Sequence, residues 1–127
     1  MKILLDTHLL LWAAAGKLAP NAAAYIENMS NTLLFSSAGI WEIIIKCDPG
    51  RPDFAVDPAA LYGGLLGAGY VELPVTARHS LLLRTLPMLH KDPFDRIMIA
   101  QAASEGITFI TADKVVAQYP GSIVYVG

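Results

Sequence analysis

A chain of 127 residues suits one compact domain, and 54% hydrophobic content excludes a disordered polypeptide. Nine Lys and Arg against eleven Asp and Glu leave a formal charge of −2, which argues against holding nucleic acid by bulk positive charge. The single cysteine, Cys47, excludes an internal disulfide and a Cys-rich zinc site and suits a reduced, cytoplasmic setting.

The opening MKILLDTHLLLWAAAG imitates a secretory leader, but Asp6 and His8 interrupt it, and no apolar run reaches the ~18 residues of a membrane span. It reads instead as a strand at Lys2–Leu5 entering a helix at Thr7–Ala15. A helix over Pro20–Met29, a strand at Thr32–Phe35 and a helix over Ser37–Cys47 follow, then a loop through DPGRP. Next come a helix at Pro58–Leu66, a strand at Tyr70–Leu73 and helices at Thr76–Leu83 and Pro93–Glu105. A strand at Thr108–Ile110, a helix at Ala112–Tyr119 and a strand at Ile123–Val126 finish the chain. The strands are apolar throughout instead of alternating, as burial on both faces requires, and helices between them imply parallel crossovers. The predicted class is therefore α/β, one domain over residues 1–127, with a mainly parallel sheet of about five strands.

Pro20, Pro58 and Pro93 stand where a first helical residue belongs, with Asn21 and Asp57 as capping candidates, and Gly106 stops the Pro93 helix. The glycines at 63, 64, 67 and 69 precede a strand, whereas a phosphate loop follows one, so they read as a helix end and turn.

Four acids carry the chemistry. Asp6 ends the first strand and suits either a helix N-cap or a ligand at the C-terminal edge of the sheet. Glu42 has Lys46 four residues on, which suits a solvated ion pair, yet bulky apolar residues flank it on both sides. In DPFD, Asp92 caps the helix and Pro93 opens it, leaving Asp95 in the first turn. Asp113 falls in the first turn of the last helix, with Thr111 as its cap. On a parallel sheet all four positions share one edge, so their carboxylates can converge. Crowded carboxylates repel each other, and a divalent cation is sufficient to neutralise them. Oxygen donors favour Mg²⁺ or Mn²⁺ over zinc. His8, His79 and His90 lack the paired spacing of a histidine metal site and read as structural, while Trp12, Trp41 and Phe94 read as core.

The segments ILLDTHLLLW, SSAGIWEIIIK, HKDPFDRIMIAQA and ITAD, in that order, resemble PIN-domain ribonucleases. Within that family the sequence is similar to the VapC-like toxins of type II toxin–antitoxin pairs, over essentially the whole chain. The resemblance implies a three-layer α/β/α fold and Mg²⁺- or Mn²⁺-dependent endoribonuclease activity. It also implies an RNA substrate, a homodimer and a cognate antitoxin that plugs the acidic pocket. Carried over by position, the family's metal-binding and catalytic acids fall on Asp6, Glu42, Asp95 and Asp113, with Thr7 and Thr111 as supporting hydroxyls; Asp92 competes with Asp95 for its label. Lys46, Arg51, Lys91 and Arg96 are candidates for a basic rim facing RNA. The stretch CDPGRPDF departs from the family, whose members are often more basic there. Three other readings stand beside this one: an RNA-processing PIN nuclease that is no toxin, an inert PIN-like protein-binding module, and a phosphoacceptor domain using Asp6. The last expects a second acid beside Asp6, where Leu5 and Thr7 stand, and a late lysine, which Lys114 matches loosely.

Overall fold

The computed structural model describes residues 1–46 and 56–127. Cys47, the DPGRP loop and Arg51 lie outside the described residues. The strands are β1 (Lys2–Leu5), β2 (Thr32–Ser36), β3 (Val71–Leu73), β4 (Thr108–Thr111) and β5 (Ile123–Tyr125). All neighbouring pairs are parallel, in the order β3-β2-β1-β4-β5. The helices are α1 (Thr7–Ala15), α2 (Pro20–Glu27), α3 (Ser37–Lys46), α4 (Pro58–Gly67), α5 (Ala77–Leu82) and α6 (Pro93–Glu105).

Alternation along the buried strands builds the three layers. Ile3 and Leu5 of β1 pack to one side with Phe35, Ile110 and residues of α1, α2, α3 and α4. Leu4, between them, packs to the other side with Leu34, Phe109 and the Met98, Ile99 and Ala102 face of α6. Ile3, Leu4 and Leu5 are completely buried, which explains why β1 is apolar at each of these positions. The predicted stop of α6, Gly106, is a left-handed glycine, and so is Gly16 at the end of α1, a conformation that a side chain would strain.

Two expectations fail. The helix expected over Ala112–Tyr119 is only a short 3₁₀ turn at Val116–Gln118. Asp113 is the reason: its carboxylate accepts from the backbone of Val115 at 2.8 Å and Val116 at 3.4 Å, a local turn that competes with a regular helix. Pro120 prevents any extension. Nor are the tryptophans core residues. Trp41 is 60% exposed and Trp12 36%, because each lies on the flank of its helix turned away from the sheet; Phe94 alone of the three is buried.

The topology creates one crevice at a predictable place. From β1 the chain moves outward to β2 and β3, then returns to β4 on the opposite side of β1 and continues to β5. The connections leaving β1 and β4 therefore diverge, and ligands of open α/β sheets bind outside the C-terminal ends of strands at such a switch point.

Candidate active site

Asp6 is the first residue past β1. Its backbone N–H donates to the Ile110 carbonyl of β4 at 3.1 Å, which fixes it at the switch point. The carboxylate caps α1 by accepting from Leu9 N–H at 2.8 Å, and its other oxygen accepts from the Thr111 hydroxyl at 2.6 Å and Ala112 N–H at 2.9 Å. Capping and site roles thus coincide in one buried side chain. Burial pushes the Asp6 carboxyl above its ordinary range; these three donors and nearby His8 only partly counter it.

Glu42 lies in the second turn of α3 and is also buried. It accepts from the Thr7 hydroxyl at 2.6 Å through one oxygen and from Lys46 Nζ at 2.7 Å through the other. The expected solvated ion pair is therefore instead a largely buried one, with 3% of the Glu42 side chain exposed. Lys46 Nζ also stands 2.8 Å from Asp92 Oδ2, joining α3 to the mouth of α6. Asp92 uses its other oxygen to cap α6, accepting from Phe94 and Asp95 N–H at 2.8 and 3.2 Å. Burial alone would raise the Asp92 carboxyl, but Lys46 and those two N–H groups hold it below the usual range.

Asp95, three positions past the α6 cap Asp92, has a different environment. Burial first, then the negative charge of Asp92 and those of Glu42 and Asp6, push it up to about 6, against a hydrogen bond with His90. His90 Nε2 lies 2.9 Å from Asp95 Oδ2 and 3.6 Å from Asp113 Oδ2. Asp6, Glu42, Asp95 and Asp113 line a single open cavity of about 620 Å³ together with Lys46, Asp92 and His90. Thr7 and Thr111 stand behind it, each donating to one of the acids.

The remaining candidates are distributed differently. Lys46 is internal to the acid cluster and not part of an outer rim. Arg96 points elsewhere, donating to the Pro87 and Leu83 carbonyls and the Tyr119 hydroxyl, and so braces the segment before α6. Lys91 does not line the cavity, whereas Lys114 does. Of the three histidines, only His79 has the structural role expected, completing a capping box with Thr76. His8 and His90 both face the cavity. Sequence reasoning missed His90 because its partners are not at a helical or strand spacing: Asp95 is five residues away, and Asp113 follows another strand.

The residues present fit a divalent cation. Asp6, Asp95 and Asp113 offer carboxylate oxygens from three different elements, and among the described residues no hydrogen bond reaches Asp95 Oδ1. Such a donor set suits hard divalent ions. A consequence follows for the metal-free protein. An acid whose proton affinity is higher folded than unfolded stabilises the fold while protonated, fully below its unfolded pKa, and that stabilisation is lost as pH rises through the folded value. Asp95, raised to about 6, thereby sets the window, with a contribution on the order of 2 kcal/mol. In EDTA the melting temperature is expected to fall between about pH 4 and pH 7, the interval spanned by the unfolded and folded values, and Asp95→Asn is expected to flatten that fall. An equal slope in the variant would refute the assignment.

The family model for the PIN domain matches residues 3–121. A comparison with curated proteins finds no significant match. Among solved structures, a chain of the VapBC2 complex from Rickettsia felis, bound to promoter DNA, superposes with a TM-score of 0.75 at 15% identity, covering 100% of both chains. A chain of DNA-bound VapBC from Salmonella typhimurium gives 0.69 at 18% identity, covering 100% of this chain and 99% of that one. VapC20 of Mycobacterium tuberculosis, a toxin that cleaves the sarcin–ricin loop, gives 0.60 at 16% identity over 93% and 96% of the two chains. Identities this low speak to the fold, whereas the family model spans nearly the whole sequence: the chain belongs to the PIN-domain family.

Proposed function

We propose that this protein is a Mg²⁺- or Mn²⁺-dependent endoribonuclease, the toxin of a toxin–antitoxin pair, acting in the cytoplasm as a homodimer. The observation that carries the reading is the convergence of Asp6, Glu42, Asp95 and Asp113 on one cavity at the switch point of the sheet. Membership of the PIN family and likeness to VapBC chains and to an RNA-cleaving toxin support it. No helix of the described residues is long and apolar enough to cross a membrane. Trp41, Ile44 and Ile45 leave an apolar, more than half exposed face on α3, as a partner-binding protein would.

When bound, the metal supplies an acidified water and offsets charge developing on the phosphate. The chain's own residues do the positioning. Asp6, immobilised by three donors, and Asp95, at the mouth of α6, serve as the principal ligands. Asp113 and Glu42 orient water, Glu42 being aimed by Thr7. Lys46 fixes Glu42 and Asp92 at the cavity wall by pairing with one oxygen of each, and Lys114 offers the phosphate a cation at the same wall.

The purified chain should cleave single-stranded RNA with Mn²⁺ or Mg²⁺ and lose activity in EDTA, with restoration on adding metal back. Asp95→Asn should be inactive under all conditions. Cleavage that persists in EDTA, or in Asp95→Asn, would overturn this reading.

A further inference from the structure

We propose that His90 is a direct metal ligand, its Nε2 joining the carboxylates of Asp95 and Asp113 in a mixed nitrogen–oxygen position that favours Mn²⁺ over Mg²⁺. This rests on the reading of the cavity as a metal centre and goes beyond its four acids.

The geometry is that of a ligand set. One donor atom from each of His90, Asp95 and Asp113 falls within 4.8 Å of the others. The Nε2 distances of 2.9 Å to Asp95 and 3.6 Å to Asp113 match neighbouring donors around a single ion, which lie about 3.0 Å apart or more when bonds to the ion are about 2.1–2.2 Å. The imidazole is not there by drift. The His90 backbone N–H donates to the Tyr119 hydroxyl at 2.9 Å, and that hydroxyl receives Arg96 at 3.0 Å. Arg96 in turn holds the Pro87 carbonyl at 2.9 Å, so the segment carrying His90 is pinned at two points against α6. A surface histidine merely pairing with Asp95 needs no such brace, whereas a ligand must be held in place for its ion.

Chemistry then gives the selectivity. Mg²⁺ prefers an all-oxygen, octahedral shell with retained waters, while first-row transition ions accept a borderline imidazole nitrogen. One nitrogen among carboxylates leaves Mg²⁺ bound but penalises it relative to Mn²⁺.

Mn²⁺ loaded into the wild-type protein provides its own probe. Pulsed EPR should show coupling to a ¹⁴N nucleus, and growth on ¹⁵N-labelled histidine should replace it with the ¹⁵N pattern. His90→Asn should abolish the coupling and lower Mn²⁺ affinity by calorimetry roughly tenfold or more, while Mg²⁺ affinity changes less. Mn²⁺ bound without nitrogen coupling in the wild type would overturn this inference and leave the acidic metal centre intact. Coupling that survives in His90→Asn would point to His8 and overturn it equally. No Mn²⁺ binding at all would overturn both this inference and the metal-centre reading.

Discussion

Asp6→Asn is expected to erase the thermal stabilisation that divalent metal gives the wild type while leaving a folded protein. Metal at one hundred times its Kd stabilises a native state by about 2.7 kcal/mol, a rise of roughly 10 °C for a domain of this size. Without metal the substitution has two opposing effects. The carboxylate serves three donors, the Leu9 and Ala112 N–H groups and the Thr111 hydroxyl. An asparagine turned either way places its NH₂ against one of the two backbone donors, which costs about 1–2 kcal/mol. Against this, a buried carboxyl whose proton affinity is raised is a destabilising charge at neutral pH, and the amide removes it. The two nearly offset, so the metal-free melting temperatures of variant and wild type should differ by only a few degrees. RNA cleavage should fall about 10³-fold, the effect of losing several kcal/mol of metal-dependent transition-state stabilisation. A variant that keeps its full metal-induced shift would remove Asp6 from the site.

Much of this architecture is legible in the sequence because the signals are local. Asp92-Pro93 marks the start of α6 within two residues, Gly106 marks its end, and the unbroken apolar runs of β1 and β4 mark strands with both faces covered. Once strands and helices alternate, parallel pairing places the residues after β1 and β4 on one edge, and Asp6 and Asp113 with them. What escaped is decided by contacts distant in sequence. Lys46 reads as a partner for Glu42 alone, since nothing near it reports an acid 46 residues on that shares its ammonium. The tryptophans read as core on hydrophobicity, yet which flank of a helix meets the sheet depends on the packing of all its neighbours. Repulsion among the acids reads from sequence as a demand for a metal, whereas Lys46 stands among them, 2.7 Å from Glu42 and 2.8 Å from Asp92, and offsets part of their charge without one.

That balance makes Lys46→Met the most damaging surface-accessible change in the site. The ammonium is 23% exposed, with Glu42 at 3% and Asp92 at 22% on its two sides. Removing it leaves one carboxylate almost entirely buried and uncompensated and a second partly so. Loss of one partner from a fully buried pair costs about 3–5 kcal/mol; solvent access at Asp92 lowers the expected cost here to about 2–4 kcal/mol. Chemical denaturation in EDTA should read that loss directly. Glu42→Gln in the same chain should recover most of it, since the amide can still accept from Thr7 without leaving a buried charge, while Asp92 keeps its two helix-capping bonds. A divalent ion supplies positive charge to the same cavity, so Mn²⁺ should stabilise Lys46→Met by more than it stabilises the wild type. Equal metal-induced gains in the two proteins would mean that the lysine and the metal do not answer to the same field, and a loss under 1 kcal/mol would mean that water, not Lys46, screens Glu42.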